Sequence, residues 1–168
     1  MKHTKSLICA AAICLSATTA HATASADQAA EWTHLDMPNG QIIYSGAAGS
    51  TGLIFTCTNE GKLDSMLNLD GGDILEKIAS KSTVVRNKKG TLSIDGREEI
   101  REDWLYHPST KMAEPRKFSI SHKLYNAAVT GSPIELKMSY VDAVNVTPPP
   151  VNDAFKSFAS TCGATNGS

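Results

Sequence analysis

The sequence predicts an α+β domain of mostly antiparallel β-structure, a sandwich or barrel-like sheet, with a C-terminal helix stapled to it by a disulfide. Three observations predict it. Short segments alternate apolar and polar residues between turn-forming ones, an apolar stripe of helical period closes the chain, and two cysteines remain once an N-terminal leader is removed.

An expected N-terminal leader sets the boundaries of the domain. Lys2 and Lys5 form a short basic region, and Leu7 to Leu15 is unbroken and apolar. Small residues then lead to Ala20-His21-Ala22 and Ala22-Thr23-Ala24, both of the A-x-A type that a signal peptidase requires. Residues 1–24 are thus expected to be a signal peptide of bacterial type, cleaved after Ala22 or Ala24. The apolar stretch is about half of the roughly 20 residues that a bilayer-spanning helix needs, so no permanent anchor is expected. Cys9 and Cys14 follow Ile8 and Ile13 rather than a small residue, and read as ordinary leader residues instead of lipid-attachment sites.

The rest, residues 25–168, is the length of one exported globular domain, secreted or periplasmic. Without Lys2 and Lys5, the 16 basic residues fall to 14 against 17 acidic ones, a net charge of −3. That balance argues against nucleic acid, whose phosphates need a basic stripe, and against electrostatic binding to anionic lipid. Cys57 and Cys162 are the two cysteines left, and an oxidising compartment permits one intramolecular pairing between them. A redox pair of the C-x-x-C kind is absent.

In chain order, Gln41 to Tyr44 is strand-like, and Ser45 to Ser50 is a loop. Thr51 to Thr58 alternates, with Leu53, Phe55 and Cys57 on the expected buried face and Ile54, Thr56 and Thr58 on the other. Asn59-Glu60-Gly61-Lys62 predicts a hairpin turn, and Leu63, Ser65, Leu67 and Leu69 a returning strand that Asp70-Gly71-Gly72 breaks. Asp73 with Glu76 three residues on suggests a capped helix over 73–81, although a strand fits too. Thr83-Val84-Val85 reads as strand, Asn87 to Gly90 as a turn, and Thr91 to Ile94 as strand. Asp95-Gly96 favours a two-residue hairpin. Residues 97–106 suit strand or helix, and the turn before them favours strand, with Ile100, Trp104 and Tyr106 on one face.

His107-Pro108 ends that segment, and the polar residues to Arg116 read as a loop. Lys117 to Ile120 begins an expected strand, and Leu124 to Val129 one or two helical turns. Ile134, Leu136, Met138 and Tyr140 alternate with Glu135, Lys137 and Ser139, the clearest half-buried strand. Pro148-Pro149-Pro150 is an extended spacer that cannot continue a sheet. Behind it Asn152 or Asp153 caps a helix whose Phe155, Phe158, Ala159 and Cys162 share one face, with Gly163 as its stop.

Chemical motifs are scarce. No G-x-S-x-G elbow, S-x-x-K sequence or phosphate loop occurs. Glu99, Asp103 and His107 could offer mixed ligands to a metal if helical, but on a strand they form a solvated charged face, so no metal or cofactor is expected. His34, Asp36 and His122 add no ligand spacing. Glu98, Glu99, Glu102 and Asp103 alternate with Arg97 and Arg101, which reads as surface ion pairs rather than a catalytic carboxylate pair. Asn145-Val146-Thr147 is a formal glycosylation acceptor discounted because Pro148 follows it.

The candidate binding residues are Trp104, Tyr106 and His107, an aromatic face beside the His107 to Arg116 loop. The function expected is binding of a protein or envelope partner without catalysis. Two alternatives stand beside it. One is a small hydrolase around His107, Asp103 and Glu99; the other is a β-barrel carrier whose cavity is lined by Phe55, Ile134, Leu136 and Met138.

Overall fold

Alternation along the chain becomes a single antiparallel sheet. The computed structural model describes residues 30–46, 50–80 and 84–162. The expected signal peptide, residues 47–49, residues 81–83 and the tail from Gly163 onward lie outside the described residues. The elements in order are β1 (Trp32–Met37), β2 (Gly40–Ser45), β3 (Gly52–Thr58), β4 (Leu63–Asn68), α1 (Ile74–Ala79), β5 (Arg86–Ile94), β6 (Glu98–His107), β7 (Met112–Pro115), α2 (Phe118–Thr130), β8 (Ile134–Met138), β9 (Val141–Val146) and α3 (Asp153–Cys162). The nine described strands form one curled sheet in the order β1-β2-β3-β4-β7-β6-β5-β8-β9. Helices α2 and α3 cover its inner face, and α1 packs on the outer one.

The inner core follows the register. Ile43 lies opposite Phe55, Leu53 opposite Leu67, and Leu92 opposite both Ile100 and Leu136. The core is continuous across the sheet, from Trp32 on β1 to Val146 on β9. Helix α2 contributes Ile120, Leu124, Tyr125, Ala127 and Ala128, a stripe that returns every three or four residues. It ends at Gly131, in the left-handed region at φ 68°. The Gly131 and Ser132 amides donate to Ala128 and Ala127 carbonyls, which closes the last turn.

Helix α3 is held at its start, middle and end. Its first turn is capped by Asn152, whose Oδ1 accepts from the Phe155 amide at 3.0 Å while its Nδ2 donates to the Trp32 carbonyl at 2.9 Å. The Trp32 indole N–H donates in turn to the Pro149 carbonyl at 3.0 Å. Phe155 then packs edge-on against Trp32 at 4.8 Å and stacks on Tyr125 at 5.4 Å. Cys162 closes the helix with a disulfide to Cys57 on β3, their Cα atoms 5.6 Å apart. The expected staple of helix to sheet is therefore present.

Several local expectations change. Ile54, assigned to the exposed face of β3, is fully buried because α1 covers it, together with Ile42, Ile74 and Met112. Asn87 to Gly90 is not a turn but part of β5, which runs unbroken from Arg86. Val84 and Val85 precede that strand instead of forming one, and both are exposed. The β5–β6 connection has three residues, Asp95 to Arg97, since Ile94 pairs with Glu98. Its Asp95 and Gly96 both take positive φ. The stretch after His107 is not all loop but holds a short strand, β7, that pairs with both β4 and β6. Lys117 to Ile120 is not a strand, because Phe118 already belongs to α2. Residues 74–79 are helical, with Asp73 Oδ1 accepting from the Leu75 and Glu76 amides.

The staple spans a sequence separation of 105 residues. Chain entropy assigns such a loop roughly 4 to 5 kcal/mol, before any relaxation of the reduced state. The Cys57→Ala/Cys162→Ala double variant is expected to lose about 2–5 kcal/mol in urea unfolding while still giving a β-rich far-ultraviolet spectrum.

Candidate functional site

The three residues singled out by the sequence occupy different environments. Trp104 is fully buried and Tyr106 retains 8% exposure, both on the inner face. They are core residues, so an exposed aromatic face at these positions is not what the fold presents. The signal for this lay at Gly90, directly beside Trp104 on the neighbouring strand. A Cβ at Gly90 would stand 2.6 Å from Trp104 Cδ1 and 3.1 Å from Met138 Cγ. The glycine that resembled a turn is the space into which the indole fits. The indole nitrogen Nε1 is buried there without a hydrogen-bond partner.

His107 faces the outer side of β6, opposite in direction to Trp104 and Tyr106. It lines a cavity of about 170 Å³ with Met66, Lys77, Ile78, Ser80, Thr110 and Met112, beneath α1. Its Nε2 is buried without a hydrogen-bond partner, 3.8 Å from Glu114 Oε2. Burial pushes the Glu114 carboxyl above its ordinary range, aided by Asp64 and opposed by His107 and Lys62. Lys77 is engaged by Asp70 and donates to Asn68 Oδ1 at 2.7 Å. Burial raises the Asp70 carboxyl, but the hydrogen bonds from Lys77 and the Gly72 amide outweigh it and leave it lowered.

Glu99, Asp103 and His107 share the outer face of β6, as the strand reading requires. At about 3.4 Å per residue, Glu99 and His107 are separated by roughly 27 Å of extended chain. Asp103 pairs with Lys89 at 2.8 Å, and that hydrogen bond holds its carboxyl below the usual range. The three do not converge. No group of three or more possible ligands for a metal ion occurs among the described residues. His34 instead meets Gln41 at 3.2 Å and packs against Phe158, and His122 packs against the Phe118 ring.

A second feature lies at the end of β5, where sequence reasoning placed a turn. β5 pairs with β6 along its whole length, from Arg86–Tyr106 to Ile94–Glu98. Its pairing with β8 begins only at Gly90–Met138. The chain then turns at Ser139-Tyr140 into β9, so among the described residues no strand borders Arg86, Asn87, Lys88 and Lys89 on that side. A hollow of about 710 Å³ lies at this corner, lined by Lys89, Gly90, Thr91, Arg101, Lys137, Met138 and Ser139. Tyr140 at the hairpin tip is 98% exposed, with φ 62°. Lys88 Nζ sits 5.0 Å from the centre of its ring.

No protein-family model, no curated protein and no solved structure matches the chain. The fold by itself transfers no function.

Gly90→Ala is expected to lose about 1–3 kcal/mol through overpacking against Trp104. Trp104→Ala is expected to lose about 3–5 kcal/mol. Urea unfolding of both variants checks the core assignment, and a Trp104→Ala change under about 1 kcal/mol contradicts it.

Proposed function

We propose that the mature chain is an exported, disulfide-stapled domain that works by binding a protein or envelope partner, without catalysis. The observation that carries this reading is the open end of β5 beside a wholly exposed Tyr140. Unpaired strand backbone next to an exposed aromatic ring is suited to recognition. The disulfide supports export, since such bonds persist in oxidising compartments. No described helix is long and apolar enough to cross a membrane.

The two alternatives draw less support. The hydrolase reading needs Glu99, Asp103 and His107 in one pocket, and they are strung along one strand. The carrier reading needs a void among Phe55, Ile134, Leu136 and Met138, which all belong to the packed inner core.

Export and binding can be tested together in the producing cell. A photo-crosslinking residue replacing Tyr140 is expected to give one discrete adduct, on a chain that begins at Thr23 or Ser25. The same residue at Ser157, exposed on α3, is expected to give none. Retention of the leader, or equal adducts from both positions, contradicts the reading.

A further inference from the structure

The open edge of β5 also carries information about what it accepts. Arg86 and Lys88 lie on the inner side of the strand, and Asn87 and Lys89 on the outer side. Next to them on the outer face, Arg101 and Lys137 both lie opposite Thr91. Five cations therefore border four residues of unpaired edge. The facing carboxylates are Asp103, which pairs with Lys89, Glu135, which pairs with Lys137 at 2.7 Å, and on the inner face Glu102, which pairs with Lys117 at 2.7 Å. Glu99 lies farther along β6 and interacts with Lys137. Arg86, Lys88 and Arg101 have no ion-pair partner among the described residues.

Two consequences follow from this balance. Like charges directly opposite each other destabilise a strand pair, so the sequence Arg-Asn-Lys-Lys rejects a second copy of itself. A strand bearing carboxylates meets the opposite situation on both faces. Its backbone could continue the ladder where β8 leaves off, over about 13 Å of edge.

Tyr140 is an independent observation at the same corner. A non-glycine residue at positive φ is strained, and asparagine or glycine would relax the turn. With the ring 98% exposed, burial within this chain returns little of that cost. The Lys88 contact, made in the open at 5.0 Å, offsets little of it. A strained, exposed aromatic beside an unpaired edge is placed to cover a side chain of an added strand.

We propose that Arg86 to Lys89 is a docking edge that takes an acidic, extended polypeptide segment by strand addition, with Tyr140 clasping it. This assignment rests on the binding reading above and names its partner class. The segment adds antiparallel or parallel to β5 in the gap vacated by β8. Its carboxylates reach Arg86 and Lys88 on one face, and Lys89, Arg101 and Lys137 on the other.

The probe is a fluorescein-labelled peptide of alternating glutamate and valine, added to the oxidised mature protein and followed by anisotropy. Two control peptides replace the central valines by proline, which cannot continue the ladder, or every glutamate by lysine. Binding of the acidic peptide is expected, weakened at least about tenfold by the prolines and abolished by the lysines. Amide exchange is expected to slow within Asn87 to Lys89. The Lys88→Glu/Lys89→Glu variant is expected to lose the peptide. Tyr140→Asn is expected to weaken binding while unfolding at the same or higher temperature, an outcome that a purely structural tyrosine would not give.

Absence of acidic-peptide binding overturns the proposal, and so does equal binding of the proline peptide, which would mark simple charge attraction. If Lys88→Glu/Lys89→Glu still forms the cellular adduct at Tyr140, the edge is refuted and the binding reading stands. Loss of that adduct in the variant supports both.

Discussion

The structure depends on how the C-terminus is brought back onto the first strands. A sheet with one apolar face is unstable until something covers it. Here much of the cover at the β1–β3 end comes from α3, a ten-residue helix at the far end of the chain. Alone, a helix of that length is marginal in water. It is held by three linked devices: the Asn152–Trp32–Pro149 hydrogen bonds at its start, the Trp32–Phe155–Tyr125 ring cluster in its middle, and the Cys57–Cys162 bond at its end. The ring cluster also reaches Phe55, which packs edge-on against Tyr125 at 5.5 Å. One group of aromatic side chains thus joins β1, β3, α2 and α3.

That arrangement divides the labour of the sheet. The β1–β4 half is sandwiched, with α3 and α2 inside and α1 outside, so even the outward Ile54 is buried. The β5–β8 region keeps its outer face for charged side chains such as Lys89, Asp103, Glu135 and Lys137. Exposed ion pairs of this kind contribute little to stability. They leave the outer face wet and free for recognition, while the inner face at Leu92, Trp104 and Leu136 holds the fold. The open edge lies in this second region, away from the stapled end.

What was legible in the sequence follows from which signals are local. The strand from Ile134, which ends at Met138 and leaves Tyr140 in the turn instead of on its buried face, the hairpin turn at Asn59 to Lys62 and the stripe of α3 are each specified by neighbours in sequence. The pairing of the cysteines was legible by elimination, since the expected removal of residues 1–24 leaves two. Helix α2 was obscured because Lys117 provides no side-chain cap and Phe118, Ser119 and Ile120 alternate like a strand. β5 was broken by Gly90, whose reason is a tryptophan on another strand. Trp104 and Tyr106 resembled a binding face because a strand pattern does not reveal which side a sheet buries. The docking edge arises from the different lengths of β5 and β8, a property of the register that a residue pattern does not display.

Native-state hydrogen exchange of the oxidised and reduced protein tests the central role of the returned C-terminus most directly. If α3 and its staple hold the β1–β3 end, reduction raises exchange together in α3, β1 and β2, while the amides between β5 and β6 keep most of their protection. Uniform loss across the sheet, or α3 amides unchanged by reduction, would contradict this account.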